Sequence, residues 1–330
     1  MNRKHGIAGS LLLSAVVIVC AALALADCRP QPERAKLRVG TYNIRLSAAD
    51  GGTPNAWDER KADLVALIRR LDLDAFGAQE VRPGQAAYLR EQLPEFAFVG
   101  DHRGADRVSD EASPVFYRRD RFNVEKSGTF WLSETPDVPG VKGWGAACPR
   151  VCSYLVLKDK ATGRRFCFAN THTDHVSALA REKGMLLVID RMKAFGDGAP
   201  IIFTGDHNCR ETEAPAVAVA ALLKNALYAT KTPPVGPWRT FNGWHWRDTE
   251  RSTAEALGKP VNVRNALSGS PDADKLKNGG YTWEDFGARI DYIYVSPDVT
   301  VLDYATVADP RPGRKLYPSD HFPVVATVEL

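Results

Sequence analysis

The spacing of apolar residues predicts a strand, a helix and a second strand at the start of the folded region. Residues 37–45 alternate between apolar and polar types, which predicts a strand with Asn43 near its C-terminal end. Residues 58–71 repeat leucine and isoleucine at helical spacing. Residues 74–80 then form a short apolar run that ends in Glu80, as is typical of a buried strand. A buried ionised carboxylate is costly on its own, so Glu80 is expected to be paired or to bind a cation.

Strands predominate in the remainder of the chain. The pattern predicts a helix at residues 83–93 and a longer amphipathic helix at residues 178–195. The further predicted strands are residues 96–99, 113–117, 151–157, 165–170, 200–204, 289–295 and 322–328. Many strands with few helices favour an α/β fold of mixed sheets covered by helices over a parallel doubly wound sheet.

Polar residues gather at the ends of these predicted strands. Catalytic groups tend to collect where strand ends meet at one edge of a sheet, so this recurrence predicts one shared site. The clusters are Asn43, Glu80, Asn170-Thr171-His172, Asp206-His207-Asn208, Asp291 and Ser319-Asp320-His321.

The N-terminal residues have the form of a secretory signal peptide. A basic segment at residues 2–5 precedes an apolar run at residues 11–25, and Ala24-Leu25-Ala26 has the small-x-small form that signal peptidase accepts. We therefore expect cleavage before Asp27, a secreted or periplasmic mature chain, and no stable membrane span after cleavage. A retained anchor is the alternative, since the run is only slightly shorter than a spanning helix. A lipid anchor on Cys28 is disfavoured, because Asp27 stands where a small residue is wanted.

Charge and length set further bounds. The 330-residue sequence has a formal net charge of +3, and loss of residues 1–26 removes the two positive charges of Arg3 and Lys4 and no negative charge, leaving +1. A near-neutral chain lacks the basic excess typical of tight non-specific DNA binding, but it is compatible with a small phosphorylated substrate. Residues 27–330 contain no linker or repeat, which predicts a single domain, and the 44% hydrophobic content is enough for a folded core.

Export would leave five cysteines in an oxidising compartment. Cys148 and Cys152 flank a tight segment and could pair locally, whereas Cys167 and Cys209 could join neighbouring strand ends. With Cys28 the number is odd, so at least one thiol stays unpaired, and the sequence leaves the pairing open. A zinc site is disfavoured, because the chain has no matched pair of closely spaced Cys-x-x-Cys motifs.

The strand-end residues suit metal-assisted chemistry on a phosphate ester. Asn43 and Glu80 offer oxygen atoms, which Mg²⁺ prefers, with Mn²⁺ as a substitute, and such a metal would neutralise charge on a phosphoryl group. Arg150 could clamp a phosphate bidentately, although a surface role is equally consistent with its type. Taken singly, Asn43 is more simply explained as a strand-end turn residue, and Glu80 as the partner of Arg45 or Arg82.

Asp206 and two histidines supply the other candidate groups. Gly205 allows a sharp turn after a buried strand, and a carboxylate at Asp206 can take a proton from water while Asn208 donates its amide to a phosphate oxygen. His172 and His321 are candidate phosphate-facing imidazoles, because a neighbouring carboxylate fixes the tautomer and favours the cationic form.

Carboxylates elsewhere in the chain are candidate partners for these histidines. Asp291 is expected to orient His321, and Glu80 or Asp174 is expected to orient His172. A supporting or surface position is the simpler explanation for the remaining candidates, His175, His207 and His245.

Six short motifs follow one another along the chain: residues 41–45 (TYNIR), 79–80 (QE), 170–175 (NTHTDH), 205–208 (GDHN), 289–293 (RIDYI) and 319–324 (SDHFPV). In this order they resemble the endonuclease/exonuclease/phosphatase superfamily and in particular its secreted bacterial branch. The resemblance spans nearly the whole mature chain. It implies the deoxyribonuclease-I-like fold, a four-layer α/β/β/α sandwich of two packed mixed sheets with the site at one edge.

The resemblance also implies two groups of site residues. Those at the metal are Asn43, Glu80 and Asp320. Those that act on water and phosphate are Asp206, which positions or activates the water, Asn208 and His172, which contact the scissile phosphate, His321 with its orienting partner Asp291, and, less closely matched, Arg150.

The last third of the chain departs from the nuclease members. Residues 240–243 are similar to a substrate-side loop of the secreted bacterial branch, but a polar insertion at about residues 244–280 precedes the strand with Asp291. Four tryptophans near the insertion could stack on a base or sugar, touch lipid, or pack the insertion onto the domain. They are Trp238, Trp244, Trp246 and Trp283.

Together these features predict a Mg²⁺-dependent phosphoric ester hydrolase, that is, a nuclease, phosphatase or phosphodiesterase, that cleaves by in-line attack of water. Its substrate is expected to be a phosphorylated small molecule, a nucleic acid or a phospholipid head group. The small net charge disfavours duplex DNA. The sequence also shows no clear apolar hairpin of the kind that contacts a membrane. The alternative is a catalytically silent module of the same fold that binds a phosphate ligand, and the intact carboxylates and histidines argue against it. No protein partner is evident, and the oligomeric state stays open.

Overall fold

The computed structural model describes residues 34–247 and 288–330. The predicted signal peptide, Cys28, most of the predicted insertion and Trp283 therefore lie outside the described residues. Within the two described ranges, no helix is both long and apolar enough to cross a bilayer.

The described residues form strands in both ranges and helices in the first. The strands are β1 (Lys36–Asn43), β2 (Ala75–Gln79), β3 (Phe96–Val99), β4 (Val115–Arg118), β5 (Phe122–Trp131), β6 (Val151–Asp159), β7 (Arg165–His172), β8 (Ile201–Asp206), β9 (Lys224–Asn225), β10 (Asp291–Val295), β11 (Thr300–Thr306) and β12 (Val324–Glu329). The helices are α1 (Trp57–Leu71), α2 (Pro83–Gln92), α3 (Ala178–Gly196), α4 (Ala214–Ala220) and α5 (Ala226–Ala229).

The strands form two mixed sheets of six. The first has the order β11-β12-β1-β2-β4-β3, and the second has the order β5-β6-β7-β8-β10-β9. In each sheet one central pair is parallel, β1 with β2 and β7 with β8, whereas the other pairs are antiparallel. The prediction of mixed sheets is confirmed.

Three apolar clusters separate four layers. The cluster between the sheets includes Val39 of β1 and Phe168 of β7. A second cluster packs α1 and α2 on the outer face of the first sheet, and a third packs α3 and α4 on the outer face of the second. The layers are therefore α/β/β/α, the sandwich of the deoxyribonuclease-I-like fold, as predicted.

Strand alternation makes the space between the sheets apolar at one end and polar at the other. Side chains two or four residues apart on a strand point to the same face. Val39 lies in the inter-sheet cluster, so Asn43 faces the same space at the end of β1. The same spacing relates Phe168 to His172 on β7 and Ile202 to Asp206 on β8.

Strand direction brings these polar ends to one edge. The C-terminal ends of β1 and β2, and of β7 and β8, lie side by side because each pair is parallel. Antiparallel β10 begins at that edge, where Asp291 pairs with Asp206, and His321 precedes antiparallel β12 beside β1. The chain thus delivers all six predicted polar clusters to one end of the sandwich.

A buried layer of amides and hydroxyls separates this polar end from the apolar core. Gln79 Nε2 donates to Thr41 Oγ1 (2.9 Å) and, across the gap between the sheets, to Asn170 Oδ1 (2.7 Å). Asn170 Nδ2 donates back to the carbonyl oxygens of Ala78 (2.8 Å) and Pro114 (2.9 Å). These bonds satisfy the amide nitrogens of Gln79 and Asn170 and fix the spacing of the sheets.

The structure contains two longer strands that the sequence pattern did not predict, β5 and β11. The reason is that β5 is largely exposed at the edge of its sheet and each strand carries a β-bulge that breaks the two-residue period. The two cysteine pairings that the sequence left open, Cys148–Cys152 and Cys167–Cys209, are not formed, and all four cysteines are free thiols.

For Cys148 and Cys152 the positions explain this result. Cys152 faces the outer cluster beneath α3, whereas Cys148 Sγ lies 3.4 Å from Arg103 Nη1 in the loop before β6. Cys167 and Cys209 both lie in the outer cluster, as free thiols. Trp238 is buried in the inter-sheet cluster, so for this tryptophan the packing role applies.

We expect Gly77→Ala to destabilise the domain by about 1–3 kcal/mol, as overpacking of a core usually does. A Cβ at Gly77 would lie 2.1 Å from Asn170 Oδ1 and 2.7 Å from Thr204 Oγ1, so the amide layer would have to shift. The free energy of unfolding in urea measures this effect. Gly84→Ala is the control, because a Cβ there meets nothing within 4 Å and alanine favours the helix; equal losses in both variants would contradict the packing argument.

Candidate active site

Asp206, at the end of β8, lies at the centre of the polar edge. It is only 2% exposed, and its carboxylate accepts hydrogen bonds from Asn43 Nδ2 (2.9 Å) and from the backbone N–H of Asn208 (3.0 Å). Burial and the nearby charge of Asp291 raise the pKa of Asp206 to about 7, despite the opposing effect of His321. The carboxylate is therefore poised to exchange a proton near neutral pH.

Asn43 joins the carboxylates of the two sheets. Its Nδ2 donates to Glu80 Oε1 (2.9 Å) as well as to Asp206, and its Oδ1 accepts from the backbone N–H of Arg45 (3.0 Å). The amide nitrogen, not the oxygen, faces Glu80. In this geometry Asn43 holds the two carboxylates together, which differs from the oxygen-ligand role predicted for it.

Glu80 and Asp320 form the acidic part of the site. Glu80 has a left-handed backbone, with φ of 62°, and its Oε2 accepts from the backbone N–H of Leu46 (2.9 Å). Burial raises the pKa of Asp320; His321, Arg45 and Arg60 oppose the rise, and the charge of Glu80 adds to it. Two like charges buried close together are unfavourable, and a hard divalent cation such as Mg²⁺ bound between the carboxylates would offset that repulsion.

His321 forms an ion-paired line with two aspartates. Its Nδ1 lies 2.8 Å from Asp291 Oδ2, and its Nε2 lies 3.7 Å from Asp206 Oδ2. Burial lowers its pKa, but the charges of Asp291 and Asp206 outweigh this effect and raise the pKa to about 10. Asp206, Asp291 and His321 have the spacing of a metal-binding trio, yet the imidazolium supplies the positive charge there.

His172 pairs with different groups from those predicted. Its Nε2 lies 2.9 Å from Asn208 Nδ2 and 3.4 Å from Asp206 Oδ2, so neither Glu80 nor Asp174 orients it, and that prediction is wrong. Burial and then Arg150 hold the pKa of His172 well below its usual value. A neutral ring that accepts the Asn208 amide at Nε2 carries its proton on Nδ1, a nitrogen without a hydrogen-bond partner in the described residues.

Three arginines line the cleft, Arg45, Arg103 and Arg150, and Arg150 has the fewest close carboxylate partners. It is 5% exposed, its Nη2 lies 3.1 Å from His175 Nδ1, and the carboxylate of Asp174 is 3.9 Å away. Its Nε has no hydrogen-bond partner among the described residues. Arg103, by contrast, pairs with both Asp110 and Glu111 at 3.0 Å. An under-satisfied buried guanidinium is a ready donor to an anion.

A second cluster with ligand-like spacing lies beside Arg150. Cys148, Asp174 and His175 bring their ligand atoms within 4.8 Å of one another. The Asp174 carboxylate already accepts three backbone N–H bonds, from residues 147, 176 and 177. With these bonds made and two arginines adjacent, the cluster is unsuited to a cation.

Most of the predicted residues share one cleft with a volume of about 460 Å³. Asn43 lies buried beneath it and Asp291 lies behind His321. The predicted residues that line the cleft are Glu80, Arg150, His172, Asp206, Asn208, Asp320 and His321.

Arg60 on α1 supports the site and was missed in the sequence. It is 1% exposed and donates to the carbonyl oxygens of Ile44 (2.6 Å), Arg45 (2.8 Å) and Pro318 (3.0 Å), which joins the end of β1 to the segment before Asp320. The signal was present, because Arg60 precedes Leu64 by four residues and therefore lies on the apolar face of the helix.

We expect Arg60→Met to destabilise the domain by about 2–4 kcal/mol, because several buried carbonyl oxygens lose their donor. Urea unfolding monitored by circular dichroism measures the change. Arg70→Met on the same helix removes a half-exposed arginine that pairs with Asp309 and is expected to cost less than about 1 kcal/mol. A loss at Arg60 no larger than that at Arg70 would disprove the supporting role.

Fold and site together are those of a deoxyribonuclease-I-like α/β sandwich: two packed sheets end at one edge in buried carboxylates, amides and imidazoles. The sequence profile described as the Endonuclease/Exonuclease/phosphatase family matches residues 40–321. The chain belongs to this family.

Solved structures and a curated relative agree with this assignment. An endonuclease/exonuclease/phosphatase family protein from Bacteroides thetaiotaomicron is 31% identical, with a TM-score of 0.76 over 91% of this chain and 97% of that one. A mannosyl-6-phosphatase from the same species is 32% identical, with a TM-score of 0.73 over 88% and 99% of the two chains. Nocturnin from Drosophila melanogaster is 25% identical over 83% of this chain, which spans 42% of the length of that relative.

Proposed function

We propose that this protein hydrolyses phosphate esters with the help of a divalent metal, and that Asp206 directs water in line at the phosphorus. The observation that carries the proposal is the setting of Asp206. Its carboxylate, with a pKa of about 7, lines a cleft together with an imidazolium, a neutral imidazole, an amide and an arginine.

Glu80 and Asp320 would hold the metal, with Asn43 keeping Glu80 in place through its amide. The expectation that the Asn43 oxygen is itself a ligand stays a prediction. Mg²⁺, or Mn²⁺ in its place, would supply neutralisation of charge on the phosphoryl oxygens.

The protein groups divide the remaining work. Asp206 accepts a proton from the attacking water, and Asn43 and Asn208 hold its two oxygens through hydrogen bonds. His321, kept cationic by Asp291 and Asp206, stabilises negative charge that develops on the phosphate. His172 and Arg150 also line the cleft, and the guanidinium of Arg150 would bind a phosphate oxygen there.

A phosphorylated small molecule, such as a sugar phosphate, is the substrate class we favour over duplex DNA. The likeness to a mannosyl-6-phosphatase over 88% of the chain supports this choice, and so does the small formal net charge of +3 for the full sequence. A basic excess of the kind that grips a polyanion is missing from this composition.

Activity assays with Mg²⁺ and with EDTA test the proposal. We expect turnover with Mg²⁺ on at least one of p-nitrophenyl phosphate, bis-p-nitrophenyl phosphate, mannose 6-phosphate, plasmid DNA and sphingomyelin, and none with EDTA. Mg²⁺ at a hundred times its Kd should also raise the free energy of unfolding by about 2.7 kcal/mol, and Glu80→Gln should abolish that rise. Turnover that persists in EDTA, or an unchanged Mg²⁺ effect in Glu80→Gln, would refute the metal role.

Substitutions at the centre of the site are expected to lower kcat strongly without unfolding the protein. Asp206→Asn and His321→Ala should each reduce kcat by about 10²–10⁴-fold, because each removes a proton-transfer or charge-stabilising group. His207→Phe is the matched control. This neighbouring histidine is buried among Phe203, Tyr292 and Tyr294 on the outer face of the sheet. The kcat of this variant should therefore stay near wild type. Near-wild-type turnover in either site variant would show that its assigned role is wrong.

A further inference from the structure

The buried pair Glu211–Arg289 joins two segments that each carry a site residue. Glu211 follows Asn208 by three residues in the loop after β8, and Arg289 precedes Asp291 by two residues at the start of β10. Arg289 Nε lies 3.1 Å from Glu211 Oε1, and the two side chains are 2% and 3% exposed. An ion pair this deep is costly to assemble unless further hydrogen bonds support it.

Those supporting bonds are present around both charges. The Glu211 carboxylate accepts from the Tyr228 hydroxyl (2.6 Å). Arg289 Nη1 donates to Trp238 O (2.9 Å), and Nη2 donates to the Tyr304 hydroxyl. The Arg289 guanidinium is thus bound to three parts of the chain: the loop after β8, the segment before residue 240, and β11. These contacts together fix its position.

Backbone contacts carry this fixed position to the site. The His207 N–H donates to Ile290 O (2.8 Å), and the Tyr292 hydroxyl lies within hydrogen-bonding distance of both Cys209 O (2.9 Å) and Arg289 O (2.8 Å). The loop that bears Asn208 and the strand that bears Asp291 are therefore locked in one register. Asp291 in turn holds His321 at 2.8 Å.

We propose that Glu211 and Arg289 are positioning residues that set the geometry of the Asp206–His321–Asp291 line by clamping the loop after β8 to the start of β10. The proposal rests on the hydrolytic function proposed above. Neither side chain touches the cleft, so the pair acts through Asp291 and Asn208 and has no direct contact with substrate.

The clamp is tested by charge removal with matched shape. Glu211→Gln leaves the arginine buried without its counter-ion, and we expect at least a tenfold fall in kcat with KM changed less than twofold, since substrate-binding groups are untouched. The double variant Glu211→Gln/Arg289→Met removes both charges and should regain part of the lost kcat. Rates are to be measured under conditions in which urea unfolding shows that each variant is fully folded. Tyr228→Phe removes only one hydrogen bond to Glu211, so it should lower kcat by a smaller factor, about 2–5-fold.

Asp159→Asn is the control. Asp159 is equally buried and pairs with Arg121 at 2.9 Å, but it lies at the end of β6 remote from the catalytic edge, so its loss is expected to cost stability and leave kcat unchanged. If kcat of Glu211→Gln falls no more than kcat of this control, or if KM rises instead, the positioning role is wrong while the wild-type activity stands. Absence of wild-type turnover on every substrate overturns the proposed function, and the positioning role with it.

Discussion

The amide of Asn43 is the contact on which the site depends. One nitrogen donates to Glu80 beside the first sheet and to Asp206 at the end of the second, so a single side chain ties together the acidic groups of both sheets. Buried carboxylates repel one another and resist loss of water, and each such donor offsets part of that cost. The Glu80 side and the Asp206 side of the cleft are therefore one electrostatic unit.

The fold supplies that unit through two simple periodicities. Alternation along β1, β7 and β8 turns apolar residues into the inter-sheet core and then, with no change of face, turns Asn43, His172 and Asp206 toward the same space. Parallel central pairs align these ends at one edge. The amide layer of Gln79 and Asn170 then seals the apolar core from the polar cleft and sets how far apart the sheets stand.

Local pattern was sufficient for most strands and for the approximate membership of the site. It was insufficient where geometry depends on partners remote in the chain. Both hydrogens of the Asn43 amide find acceptors on other elements, so its orientation cannot be read from residues 41–45. The same holds for His172, whose neighbours come from the loop after β8 rather than from the acidic residue two positions along. The separation of Cys148 from Cys152 follows from the side of the sheet on which each thiol lies, which spacing in the sequence does not encode.

The backbone on the two sides of residues 242–287 is paired next to Asp291. The N–H groups of Thr240 and Phe241 both donate to Ala288 O, and Thr240 Oγ1 accepts from the N–H groups of Ile290 and Asp291. These bonds pair residues 240 and 241 with residues 288–291, directly beside Asp291. Because loop closure costs little more as a loop lengthens, a change in the number of residues between positions 247 and 288 need not displace Asp291, provided that this pairing is kept.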